Sequence, residues 1–424
     1  MERILYLILT IIILAISCNK DDLSDFQKDE NGVIVSLSYI WIKSLHKDNT
    51  FHSNGYVEFP VIYDENILIP TTDSNGNQYL SMINTSDGET KWKWNDILEE
   101  TFCNDVELYG LFKQDNLLTW QKGSRSYCIN LENGTTIWKV QRDKTYDSRI
   151  NSYGNDYFTY SLITNTEGYD EQVAYTGNIQ TGELTEFLRA NLSGDYIAPS
   201  SENGGVGGII YINEILLNSN LLLVTYAEPL PEWCVNSFFG LYNTQIQEWV
   251  YERKLLVPPL WNTSVFHTPI IYNGQVYANV GNNIVCHDLY TGEQLWRREF
   301  DNDFLFSGFI IEEDKIIANN ENKTLYCLDT ETGHSIWEGE GAGTSSRMSY
   351  LNGIVYFVGG SDGKLHAVDI DTGQTVWRLD AKKIEGSESL FKTNAVYVIP
   401  GENSEKGKVI ALTHMYAYCF EAYR

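Results

Sequence analysis

The chain has 424 residues, 43% of them hydrophobic and 13% aromatic, enough to bury one large core or two ordinary ones. Its formal net charge of -27 excludes a nucleic-acid partner, because a phosphate backbone would be repelled rather than neutralised. Only 9 Pro stand against 33 Gly and 28 Tyr, and Tyr, Trp, Val and Ile suit a pleated, half-buried surface.

In chain order, Arg3 precedes an apolar run over residues 4–16. The run is too short to span a bilayer and reads as the core of a secretory signal over residues 1–17. Leu14-Ala15-Ile16-Ser17-Cys18 resembles a bacterial lipobox. The resemblance implies cleavage before Cys18 and acyl chains on it, with about 0.8 kcal/mol per buried methylene holding the protein to a membrane it does not span. The following Asn19-Lys20-Asp21-Asp22 resembles the surface-export signal of Bacteroidetes lipoproteins, which implies the outer membrane and its outer face. Residues 18–33 read as a flexible acidic tether, and 34–424 as one domain.

That domain is repetitive. Aligning on a Gly and the Trp four residues later gives five clear copies: 84–92 (NTSDGETKW), 130–138 (NLENGTTIW), 288–296 (DLYTGEQLW), 329–337 (DTETGHSIW) and 369–377 (DIDTGQTVW). Two degenerate copies are 178–187 (NIQTGELTEF), with Phe187 one place late, and 243–249 (NTQIQEW), which has lost the Gly. Around each copy, alternating strands and turn residues predict consecutive antiparallel hairpins. The Asp or Asn accepts hydrogen bonds from backbone two residues on, the Gly takes positive φ, and the Trp covers apolar area between neighbouring sheets. Units of about 40 residues with four strands each predict propeller blades.

The pattern Ala367, Asp369, Thr372, Gly373, Trp377 resembles the PQQ-like repeat, a family that includes the quinoprotein dehydrogenases and the barrel-assembly lipoprotein BamB. The resemblance runs from about residue 55 to residue 424. The orphan strand SYIWIKSL (38–45), with Trp41, matches the Trp strands, and YCFE (418–421) matches YCLD (326–329) with no Trp strand after it. The expected fold is therefore an all-β, eight-bladed propeller of four-stranded antiparallel blades, its N-terminal strand completing the last blade and removing two open edges. Seven blades, with Tyr39 to Leu45 as an extra edge strand, is the alternative.

Blade four is irregular and carries YAEPLPEWCVNSFFG (226–240) and VPPLW (257–261). Trp233 and Trp261 are the candidate ligand-binding residues, able to stack on a glycan or protein partner; local packing under a loop is the bland reading. Of seven Cys, Cys128, Cys286, Cys327 and Cys419 occupy equivalent strand positions in different blades and read as buried thiols. Cys103 and Cys234 are undetermined. The quinoprotein resemblance implies an adjacent cysteine pair above the cofactor; this sequence has none, so no cofactor is expected.

Several motifs read as structure. Asp369-x-Asp371-x-Gly373 and Asp73-Ser74-Asn75-Gly76-Asn77 look like calcium loops but lack the distal Glu. Gly359-Gly360-Ser361-Asp362-Gly363-Lys364 has the wrong spacing for a phosphate loop. Ser44-x-x-Lys47 ends a strand instead of opening a helix, and the seven His, including His287 and His366, show no ligand pairing. No catalytic, cofactor or metal residues are assigned. The expected function is a non-enzymatic, lipid-anchored propeller presenting a face to a protein or glycan at the outer membrane. The alternatives are a periplasm-facing assembly factor like BamB and, from another class, a quinone-dependent dehydrogenase.

Overall fold

A computed structural model of the chain describes residues 26–45, 57, 59–98, 108, 110–144, 146–164, 170–190, 207–229, 235–258, 265, 267–304, 307–384, 390–402 and 406–424. Its strands form four-stranded antiparallel meanders, labelled here as sheets I (62–94), II (111–141), III (146–189), IV (207–255), V (270–299), VI (309–340), VII (349–379) and VIII (397–421 with Tyr39–Ser44). Sheets III and IV are bonded into one through a short parallel contact, Glu171 with Gly207 and Gln172 with Gly208. The architecture is an all-β propeller.

Second and third strands make the core, as in Asn66–Thr72, which is buried throughout. Fourth strands alternate between half-buried and exposed residues, as Thr136–Gln141 does, which suits an outer edge. First strands of neighbouring sheets approach one another in II–III, III–IV and VII–VIII, which places them innermost.

The repeated motif builds the join between sheets. Its acid or amide closes the turn: Asp369 Oδ1 accepts from the Asp371 and Thr372 amides, and Asn130 Oδ1 from the Glu132 amide. Gly88, Gly134, Gly182, Gly292, Gly333 and Gly373 all have φ between +69° and +76°. The strand register shifts just before this turn, a bulge that re-aims the fourth strand. The Trp of each unit then reaches the next unit's turn. Trp92, Trp138, Trp296 and Trp337 donate their indole N–H to the carbonyls of Leu131, Ile179, Thr330 and Ile370, at 2.7–3.1 Å.

The two degenerate copies depart from this rule. In sheet III, Phe187 packs edge-on to Tyr242 of sheet IV. In sheet IV, Tyr251 rather than the expected Trp249 makes the join, its hydroxyl donating to the Leu289 carbonyl at 2.6 Å. Trp249 turns back onto Tyr242 of its own sheet. In sheet VII, Trp377 meets Phe420 and Tyr423.

Tyr39–Ser44 pairs antiparallel with Tyr416–Glu421, and Trp41 donates to the Thr85 carbonyl of sheet I at 3.0 Å. The N-terminal strand thus completes the last sheet and carries the join back to the first. One expectation is corrected: the tether does not run free to residue 33. Phe26–Lys28 and Ile34–Leu37 form a hairpin, turned on Asp29 Oδ1, that lies against the outer strand of sheet VII. Ile34 is buried there beside Trp377, which gives that edge a cover.

Candidate functional site

Strand direction alternates within each meander, so the molecule has two faces. First–second and third–fourth turns share one, the turn face. Second–third turns and the connections between sheets share the other, the loop face. Cys18, Trp233, Trp261, Cys103, Cys234 and Lys47 lie outside the described residues, so the lipid-attachment and ligand-loop expectations are not placed. What is placed is the base of the segment that carries Trp233. There Arg253 forms a two-pronged ion pair with Glu228, whose side chain is buried, and lies over the Phe238 ring at 4.7 Å.

The loop face holds a cleft of about 910 Å³ between sheets VI, VII and VIII. Glu321 and Lys323 enter it from the second–third turn of sheet VI, Thr344 from the VI–VII connection, and Lys392 and Asn394 from the VII–VIII connection. Its middle wall is the 359–363 turn, whose glycines have the wrong spacing for a phosphate loop. This turn is rigidly tied: the Gly360 amide donates to Thr344 O at 2.6 Å, and Ser361 Oγ to Ala342 O at 2.9 Å. Thr344 Oγ1 in turn donates to Glu321 Oε2 at 2.6 Å. His366 Nε2 stands 3.0 Å from Asp362 Oδ2, and its ring stacks on Phe357. Burial pushes the Asp362 carboxyl up, but the His366 contact and the Lys364 amide and ammonium outweigh it and hold the group below the ordinary carboxylate range.

The remaining sequence candidates have structural partners. Asp369 Oδ2 pairs with Arg424 while Oδ1 closes the turn. Asp73 accepts from the Asn77 side chain and from the Asn77 and Asn75 amides, which pull its carboxyl down to about 2. His287 lies between the carbonyls of Leu256 and Gly292, and burial lowers its pKa. Cys128, Cys286, Cys327 and Cys419 are free, buried thiols, each pushed up to about 12 by desolvation.

The turn face carries a feature that reading the sequence missed. Leu216 and Leu217, in the first turn of sheet IV, are 93% and 84% exposed. Sibling turns use Asp64-Glu65, Asp115-Asn116, Asn273-Gly274 and Asn352-Gly353 at that place. Two leucines where the other units write acids, Asn or Gly was the signal available.

The family profile described as outer membrane protein assembly factor BamB matches residues 260–339 and 281–415. BamB of Salmonella typhimurium is 32% identical over 113 residues, 26% of this chain and 28% of its own length. Such a match spans little more than a quarter of either protein. Among solved structures, BamB from Moraxella catarrhalis aligns with 91% of this chain and 98% of its own at a TM-score of 0.55 and 12% identity. Quinohemoprotein alcohol dehydrogenase from Comamonas testosteroni aligns with 91% of this chain and 76% of its own at 0.59 and 10%. At those identities the structural likeness speaks for fold alone. The chain is a propeller whose residues 260–415 carry PQQ-like repeats of the BamB type.

Proposed function

We propose that this chain is a non-enzymatic propeller of eight blades, held at the outer membrane by lipid on Cys18, that presents binding faces to a protein or glycan partner. The observation that carries the reading is the Leu216-Leu217 tip. Two adjacent, almost fully exposed leucines, where sibling first–second turns carry acids, Asn or Gly, mark a protein contact, because apolar surface of this kind gains most from being covered. A photo-crosslinking residue at position 217, in intact cells, is expected to capture a discrete envelope protein. Replacing Leu216 with Glu should abolish the adduct. No adduct from position 217 would defeat the reading. Protease shaving of intact cells then decides which side of the outer membrane the protein faces.

A second reading, participation in outer-membrane protein assembly, is favoured by the family match over residues 260–415. Deleting the gene should then lower the amounts of β-barrel outer-membrane proteins, and unchanged amounts would reject it. Quinone-dependent dehydrogenation has the dehydrogenase likeness in its favour, but that likeness is one of fold, and the sequence has no adjacent cysteine pair. A stoichiometric red-shifted absorbance on adding PQQ and calcium would reinstate it.

A further inference from the structure

We propose that the cleft between sheets VI, VII and VIII binds a neutral saccharide. This deepens the glycan arm of the proposed function and rests on reading the chain as a binding protein. The Leu216-Leu217 tip lies on the opposite face and is tested separately.

The cleft's size of about 910 Å³ falls within the ~300–1,000 Å³ usual for small-ligand sites. Its charge is the more telling property. Two lysines, Lys323 and Lys392, face two carboxylates, Glu321 and Asp362, so the lining balances in a chain of net charge -27. An anion would be opposed by the carboxylates and a cation by the ammonium groups. A hydroxyl both donates and accepts, so a ring bearing several of them needs a wall that supplies both. Thr344, Ser361, Thr393 and Asn394 extend that mixture without adding charge, and Asn394 is 3% exposed.

One atom asks directly for a donor. Glu321 Oε1 is buried and has no hydrogen-bond partner among the described residues, although Oε2 takes the Thr344 hydroxyl. A buried carboxylate oxygen left so is costly, and a ligand hydroxyl would satisfy it. Leu390 and Phe391 give the same cleft an apolar side, suited to the C–H face of a pyranose. The glycines hold these groups close. A Cβ on Gly360 would stand 2.5 Å from Thr344 O, and one on Gly363, at φ +62°, would stand 2.8 Å from Leu390. The turn therefore keeps its place in the wall only with these positions unsubstituted.

The experiment is calorimetric titration of the full mature chain with maltotriose, cellotriose and triacetylchitotriose, and with inorganic phosphate and acetate as anion probes. Saturable binding of at least one trisaccharide is expected, with Glu321→Ala and Lys323→Ala each weakening it roughly tenfold or more, the loss of one charged hydrogen bond. Both side chains leave the sheets for the cleft, and the thermal midpoint of each variant reports whether folding is intact. Thr344→Val, which keeps the side chain's shape, should weaken binding too and replaces either variant if its midpoint falls. Leu216→Glu should bind sugar as the parent does, so failure of the protein contact and failure of this site are told apart. No saturation by any of the three sugars up to about 10 mM, sugar binding that the cleft variants leave untouched, or phosphate binding that Glu321→Ala strengthens would each overturn the proposal.

Discussion

The six-membered ring of Trp337 lies against Gly373 of the next sheet so closely that a Cβ on that glycine would stand 2.7 Å from the indole. The same indole donates to Ile370 O at 2.8 Å, three residues earlier in the turn. Gly373 is thus required twice, for its φ of +70° and for the ring it must accept. Gly373→Ala should lower stability by about 2–4 kcal/mol, combining left-handed strain with displacement of a packed side chain. Gly123, at φ +60° with open space around it, separates the two effects. Gly123→Ala should cost only about 1 kcal/mol. Urea midpoints of the two variants check this, and equal losses would show that strain alone matters.

The acids of the motif predict an acid dependence. The Thr291 amide and hydroxyl pull the Asp288 carboxyl below its ordinary range, and the Thr332 hydroxyl and amide do the same for Asp329. A carboxyl depressed in the folded state stabilises above its unfolded pKa, about 3.9, and that contribution fades as pH falls through the folded value. The window therefore lies below about pH 4. Asn84, Asn130 and Asn178 accept the amide two residues on with a neutral Oδ1, as Asp288 does from Tyr290. Asp288→Asn with Asp329→Asn should therefore be within about 0.5 kcal/mol of the parent at pH 7 and should lose less than the parent between pH 4 and pH 2. Urea titrations at both ends of that range provide the comparison.

Much of this was legible because the repeat is written in residue types that have one job each. A Gly four residues before a Trp, after an Asp or Asn, fixes a turn, a bulge and a packing contact together, and this carries the strand plan and the closure through Trp41. Legibility failed where one signal served two structures. Trp249 reads as the motif aromatic, yet Tyr251 makes the join: it stands eight residues after Asn243 and opposite Leu241, as Trp138 stands eight after Asn130 and opposite Cys128, with Gln247 at φ +57° in the glycine's place. The hairpin at Phe26–Lys28 was hidden in polar sequence, its order coming from an edge far along the chain. The cleft was missed because it is assembled from five connections separated by up to 93 residues (Glu321 to His414), none with a motif of its own. Its central turn looked like a failed phosphate loop, and spacing alone could not say what else it faced.

The cysteines give a chemical check on packing. Cys128, Cys286, Cys327 and Cys419 each pair across the ladder with a joining Trp: Trp138, Trp296, Trp337 and Trp41. Desolvation raises each thiol to about 12, so almost none is thiolate at pH 8, and the thiolate is the reactive form. With Cys18, Cys103 and Cys234 replaced by Ser, the native protein should resist a thiol reagent and react at all four sites once denatured. Fast native labelling would show that the sheets are not sealed at their joins.

Closure of the ring is the most severe demand on the fold. Removing residues 1–37 takes away the hairpin on sheet VII but leaves Tyr39–Ser44 paired with Tyr416–Glu421. That truncation should stay folded and monomeric, with a modest loss from uncovering Trp377. Removing residues 1–45 bares the edge of sheet VIII and the face of Gly88 that Trp41 covers. Trp41 is a buried side chain, and an indole of that kind hides about 200 Å², worth about 5 kcal/mol at ~25 cal/mol per Å². The exposed edge also offers unpaired backbone groups to other molecules. The longer truncation should therefore aggregate or unfold at a much lower urea concentration, and a peptide spanning residues 38–45 added in trans should partly restore it. Size-exclusion profiles and urea midpoints read the difference. If both truncations behaved alike, Trp41 and its strand would not be what holds the last sheet to the first.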